Sequence, residues 1–173
     1  EMIVSLNGGG LMKLNQNKSF EIKGLKGDQL FIRDIHEVDN VLYLATKQGV
    51  LSTSDLKSFQ LVVPNLNVSI SGVTSSESEL IFTSYTGSIF YYNLKTKSLR
   101  ERQLVDRECS VFGLKMDQSK VLWLSTQKGV MRIFGPKEEL FDLEKGLPTS
   151  SVSCVFEDRD KNLWMGTQGK GLV

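Results

Sequence analysis

The chain has 173 residues, 40% of them hydrophobic, and its 21 Lys and Arg against 20 Asp and Glu leave a formal net charge of +1. A compact chain of this length buries roughly 70% of its unfolded surface, which argues against disorder as the main state. The balanced charge argues against nucleic acid as a partner, because neutralising phosphates needs a basic footprint.

The chain opens on EMIVSLNGGG, which lacks the basic start and apolar stretch of a signal peptide. No run of 18 apolar residues occurs anywhere, so this segment is expected neither to cross nor to contact a membrane. One phrase recurs along the chain: an apolar or aromatic cluster, a hydroxyl residue, a few polar residues, then Gly and another apolar pair. A partial copy runs from Met2 to Met12 (MIVSLNGGGLM). Fuller copies are VLYLATKQGVL from Val41, ELIFTSYTGSIFYY from Glu79, VLWLSTQKGVMRIF from Val121 and NLWMGTQGKGLV from Asn162. Aligned on Leu6, Thr46, Ser84, Thr126 and Thr167, the copies are 40, 38, 42 and 41 residues apart. A period near 40 suits propeller blades or helical solenoids.

Secondary structure separates the two. The apolar segments alternate over four to six residues, are rich in β-branched and aromatic side chains, and are bounded by Gly, Asn, Asp and Ser. Each period holds four such runs; in one they are Ser110–Asp117, Val121–Thr126, Val130–Phe134 and Glu139–Leu143. Pro136–Lys145 could instead form one helical turn. The expected fold is all-β, a β-propeller of four-stranded antiparallel blades of about 40 residues. It is expected here as a partial propeller: whole blades at 30–63, 68–104 and 110–143, and partial ones at 1–23 and 152–173. A ring of four blades leaves one copy over and a ring of seven needs far more chain. The expectation is therefore an open arc, with blade edges covered by the rest of the propeller or by another copy of the chain.

Several conspicuous residues are accounted for by this architecture. Ile3, Tyr43, Ile81, Trp123 and Trp164 occupy one second-strand position and should pack a sheet face against the neighbouring blade. Thr46, Thr126 and Thr167 end that strand with a hydroxyl able to bond locally. Gly49, Gly87, Gly129 and Gly171 come after the tight turn, where positive φ or crowding is expected. Cys109 and Cys154 both lie in β-like runs and read as free, buried small hydrophobes. His36, the only histidine, reads as a surface or turn residue.

The final 28 residues, GLPTSSVSCVFEDRDKNLWMGTQGKGLV, carry a Gly146-Leu147-Pro148 lead and a Val152 strand ending Glu157-Asp158. A polar turn Arg159–Asn162, then Leu163-Trp164-Met165-Gly166-Thr167 and a Gly169-Lys170-Gly171-Leu172 close complete the pattern. This resembles the two-component regulator propeller repeat. The copy around Trp123 keeps Asp117, Leu122-Trp123-Leu124-Ser125-Thr126 and Gly129, and the copies nearer the N-terminus are more degenerate. The resemblance implies a periplasmic sensor region of a bacterial hybrid two-component protein or sensor histidine kinase, held at the inner membrane and dimeric at full length. It also implies that the segment itself is not an enzyme, that it takes no cofactor, and that any kinase lies outside this chain.

The remaining polar residues bear on chemistry. Asp158, Asp160 and Asn162 have the spacing that opens a calcium loop, but the required Gly and Glu are replaced by Leu163 and Gly169, so no metal is expected. Asp34, Asp117, Glu157 and Asp158, at or near the ends of inner strands, could supply paired carboxylates for a glycosidase; turn capping is the simpler role. Ligand binding is expected where loops between blades meet the turns between second and third strands. The candidates there are Lys47, Gln48, Tyr85, Arg107, Gln127, Lys128, Gln168 and Lys170. Their amides, cations and phenol suit an oligosaccharide or other small ligand. A protein-interaction scaffold and a carbohydrate-active propeller enzyme remain the alternatives.

Overall fold

The structure, a computed structural model, describes residues 2–6, 8–15 and 18–173. It is built of five small antiparallel sheets, three of four strands and two of three, which are the blades of a β-propeller. The only helical element among the described residues is a short 3-10 turn, Gly27–Leu30. The chain divides into two compact units, residues 1–73 and 74–173.

In the first unit, β1 (Met2–Leu6), β2 (Gly10–Asn15) and β3 (Lys18–Ile22) form the first sheet in that order. The second is a meander of β4 (Ile32–Val38), β5 (Val41–Thr46), β6 (Gly49–Thr53) and the two-residue β7 (Gln60–Leu61). Between these sheets Leu11, Leu25, Ile32, Leu44 and Leu51 make one core, with Ile3 and Ile35 against it. Full burial of each such side chain contributes about 1.5–3 kcal/mol.

The unit boundary falls inside β8 (Ile70–Ser76), the edge of a third sheet ordered β11-β10-β9-β8. Its partners are β9 (Glu79–Ser84), β10 (Ser88–Asn93) and β11 (Leu99–Gln103). In the second unit, β12 (Val111–Met116), β13 (Leu122–Thr126), β14 (Gly129–Phe134) and β15 (Lys137–Phe141) make the fourth sheet. The last sheet is β16 (Val152–Glu157), β17 (Leu163–Thr167) and the short β18 (Gly171–Leu172).

The sheet-on-sheet packing of the second unit explains a sequence feature. Every residue of β13 is buried. Leu122 and Leu124 point into the core shared with Ile81 and Ile89 of the third sheet and with Leu104, just after it. Trp123, on the opposite face, packs with Val152 and with Val155, Leu163 and Met165 of the last sheet. A strand covered on both faces reads as a continuous apolar run, which is why Val121–Thr126 scarcely alternates.

Several expectations change in detail. Pro136–Lys145 holds a strand, and that strand runs Lys137–Phe141, two residues nearer the N-terminus than Glu139–Leu143, because the β14–β15 turn is only Gly135 and Pro136. Cys109 is buried, but Cys154 is exposed: it lies opposite Gly166, which has no side chain to cover it. His36 lies inside β4 opposite Tyr43. Trp164 keeps 40% of its surface open, whereas Trp123 keeps 9%. Of the expected first partial blade, residues 1, 7, 16 and 17 lie outside the described residues.

Candidate ligand-binding loops

The turns between second and third strands are built on one device. Thr126 Oγ1 donates to the Gly129 carbonyl at 2.9 Å and accepts from the Lys128 amide at 3.1 Å. Thr46 repeats both bonds, to the Gly49 carbonyl at 2.8 Å and from the Gln48 amide at 3.2 Å. Thr167 donates to the Gly171 carbonyl at 2.7 Å. The loops after Ser84 and Thr167 are one residue longer than the other two, and at Ser84 the hydroxyl accepts from the Ser88 amide at 3.1 Å. Such a hydroxyl satisfies the backbone where the ladder turns, and it holds the intervening polar residues outward.

Gly129 is required at its place. Its φ is +138°, and a Cβ there would lie 2.0 Å from the Phe141 carbonyl oxygen. The close approach brings the end of β15 under the turn and so sets where the next loop starts.

In the second unit the loops then meet the turns. Lys128 Nζ pairs with Asp106 at 2.7 Å, and the Gln127 side-chain amide donates to the Glu108 carbonyl at 2.8 Å. Hydrogen bonding between Lys128 and Asp106 pushes the ammonium pKa up and the carboxyl pKa down. The Tyr85 carbonyl accepts from the Val111 amide at 3.1 Å, and the Gly87 carbonyl from Leu104 at 3.1 Å. Four of the candidates, Tyr85, Arg107, Gln127 and Lys128, are thereby gathered around one loop, Leu104–Ser110. Arg107 is the exposed cation of that group. Gln168 and Lys170 sit on the next turn, which is tied down by the Gln168 amide donating to the Ser151 carbonyl at 3.0 Å.

Lys47 and Gln48 belong to the first unit. Lys47 pairs with Asp28 at 3.3 Å, and its ammonium lies 5.4 Å from the centre of the Phe31 ring. The pairing of a turn lysine with an interblade aspartate therefore recurs in both units. Lys47 and Lys128 are ion-paired with interblade aspartates, and Arg107 and Lys170 are exposed.

The carboxylates take other places. Asp158 Oδ1 accepts from the Asp160 and Asn162 amides, each at 2.9 Å, and its Oδ2 from Asn162 Nδ2 at 3.0 Å and Trp164 Nε1 at 2.8 Å. The indole hydrogen bond above all, with the Asn162 side chain next, lowers its pKa to about 2. Asp117 repeats the arrangement, accepting from Val121 and from Trp123 Nε1 at 2.7 Å. Sequence reasoning alone misses this acid-to-indole link, although its signal is there as an Asp six residues before each Trp. Asp34 differs from those two: it sits at an irregularity in β4, and its Oδ2 accepts from the Val73 amide at 2.9 Å. The turn of that blade is made by Asp39 and Asn40, both at positive φ.

A second feature that sequence reasoning misses is a register slip near the start of each of β4, β12 and β16, which inserts Arg33, Phe112 and Ser153 at equivalent places. Bulges of this kind re-aim a side chain at a sheet rim. Among the described residues no group of three or more His, Cys, Asp and Glu could hold a metal ion, and no helix is long and apolar enough to cross a membrane.

Residues 146–169 match the family model described as the two component regulator propeller. That match covers the last repeat. No curated protein matches the chain. Among solved structures it is similar to one named as the extracellular domain of a hybrid two component system from B. thetaiotaomicron. That match has a TM-score of 0.71 and 19% identity, and covers 98% of this chain and 24% of the other. A one component system domain from the same organism gives a TM-score of 0.75 at 17% identity, covering 95% of this chain and 24% of the other. Virginiamycin B lyase from Staphylococcus aureus gives 0.71 at 14% identity, over 94% of this chain and 61% of the enzyme. At these identities the likeness is one of fold. The chain spans about a quarter of the length of the two extracellular domains.

Proposed function

We propose that this regulator propeller segment is a non-catalytic, periplasmic, ligand-sensing part of a bacterial two-component sensor. It recognises a carbohydrate-derived ligand at the loops around Leu104–Ser110 and Gln168–Lys170, and it signals to a kinase elsewhere in the same protein. The observation that carries this reading is the match of residues 146–169 to the two component regulator propeller. The loop chemistry supports it. Arg107 and Lys170 offer exposed charge, Gln127 and Gln168 offer amides, and Tyr85 offers an aromatic body, a set that suits a hydroxylated ligand bearing negative charge.

The test uses the whole protein encoded by the gene. Its autophosphorylation is followed in membranes against a panel of oligosaccharides. One saccharide class should change the rate, and Arg107→Ala with Lys170→Ala should shift the response to at least tenfold higher concentration. A gene that encodes neither a membrane span nor a kinase overturns the proposal. So does turnover of a saccharide by the purified chain, the behaviour of a propeller enzyme.

A further inference from the structure

At the opposite end of the strands from those loops, the third and fourth sheets leave a crevice of about 320 Å³. Its floor is apolar, from Met116, Leu122 and Ile133, and its walls carry Tyr91, Arg100 and Lys120. Arg102 anchors the crevice. It donates to the Gly135 carbonyl at 2.7 Å, to the Pro136 carbonyl at 3.1 Å and to Glu138 at 2.7 Å. The Arg100 guanidinium lies 3.7 Å from the centre of the Tyr91 ring. The Tyr91 phenol lines the crevice and can donate its O–H to a ligand.

Three cations thus surround one small cavity, and their carboxylate partners, Glu77, Glu79 and Glu138, stand outside its lining. The partners are not equivalent. Glu138 is only 10% exposed and is held by both Arg102 and the Val105 amide, so that pair is structural. Lys120–Glu77 and Arg100–Glu79 are surface pairs, and exposed pairs hold their partners weakly. An incoming carboxylate can replace Glu77 and Glu79, which return to water.

We infer that this crevice binds a small carboxylate carried on a sugar-sized ring. Its charge is taken by Arg100 and Lys120, a hydroxyl by Tyr91, and its C–H face by Met116, Leu122 and Ile133. The volume is at the lower end of small-molecule sites, which selects one ring over a chain of them. The inference goes beyond the sensing reading and does not depend on the loops at the other end.

The test is a titration of the purified chain, by NMR chemical shift and calorimetry, with glucuronate, glucose and inorganic sulfate as probes. Glucuronate should saturate with shifts at Tyr91 and Met116, and glucose and sulfate should bind at least tenfold more weakly. Arg100→Gln should weaken glucuronate at least tenfold. Lys120→Gln, at a still more exposed position, keeps the test valid if the Arg100 variant folds poorly. Glu79→Gln should tighten binding several-fold, because it removes the competing carboxylate; a merely structural ion pair would not behave so. Equal binding of glucose or sulfate overturns the inference, as does an unchanged affinity in Arg100→Gln and Lys120→Gln, or weaker binding in Glu79→Gln. These readouts involve no kinase, so they fail independently of the sensing proposal.

Discussion

Asp158 accepts four hydrogen bonds from three residues, and all of them favour the ionised carboxylate. Its pKa falls from 3.8 to about 2. A carboxyl whose folded-state pKa lies below its unfolded value adds stability in full above about pH 4, and that contribution is lost as pH falls through about 2. The thermal midpoint should therefore drop as pH is lowered across this window. Asp55 shares the behaviour: its pKa is also about 2, chiefly through the Ser58 and Lys57 backbone amides. Asp158→Asn replaces an acceptor with an NH2 group facing Trp164 Nε1 and Asn162 Nδ2. That variant should be less stable at pH 7 and show a shallower decline between pH 4 and 2. A decline as steep as in the native chain would show that the indole bond contributes nothing. The six-residue spacing from Asp to Trp is legible in the sequence, whereas its meaning needs the geometry of the β-turn that folds one back onto the other.

The second-to-third-strand turn is the element on which the repeat rests, and its two components can be separated. Gly129 and Gly171 both have positive φ, but a Cβ at Gly171 meets nothing within 4 Å, whereas at Gly129 it strikes the Phe141 carbonyl. Gly171→Ala should cost about 1 kcal/mol, from backbone conformation alone. Gly129→Ala should cost roughly 3 kcal/mol or more, since strain and a steric clash add. Urea denaturation of the two variants measures the difference, and equal losses would mean that the contact relaxes freely. The hydroxyl is tested by Thr126→Val, which leaves the Lys128 amide without its acceptor. Thr126 is fully buried, so a loss of about 1–3 kcal/mol is expected by the same measurement. The strand cores of this element are legible in the sequence because β-branched and aromatic runs bounded by Gly, Asn and Asp have few other uses. Strand ends are less so. The start of β15 depends on the turn at Gly135 and Pro136 being only two residues long; the Gly-Pro pair marks the turn but not its length. The slips at Arg33, Phe112 and Ser153 have no signal, because a bulge adds a residue without changing the residue types around it.

Across the whole chain the organisation is one of neighbours. The fourth sheet buries one face against the third and the other against the last, as Leu124 and Trp123 show from a single strand. Stability in such arrays is a sum of local terms and nearest-neighbour interfaces. Leu51 and Leu124 are both fully buried, in different cores, and truncation of each to Ala should cost about 2–5 kcal/mol. Hydrogen exchange should locate the damage. Leu51→Ala should speed exchange most in β1–β6, and Leu124→Ala most in β9–β17. Uniform acceleration in both would show that the chain opens as one cooperative body. The repeat period is enough to reveal this arrangement. It does not reveal which polar residues are engaged with one another: Lys47 pairs with Asp28 and Lys128 with Asp106. Pairing across loops depends on where the sheets bring those loops together, and a repeat spacing carries no such information.

The contrast between the two cysteines has a practical consequence. Cys109 is sealed in the core between the third and fourth sheets, and burial pushes its thiol pKa up, so its reactive thiolate is suppressed. Cys154 stands open on β16 beside the side-chain-free Gly166. Under native conditions a maleimide dye should therefore attach once, at Cys154, and denaturation should raise the stoichiometry to two. The unmodified chain thus already carries a single-site spectroscopic reporter, placed on the strand next to the one that leads into the Gln168–Lys170 turn, where a fluorescence change would register a ligand's arrival.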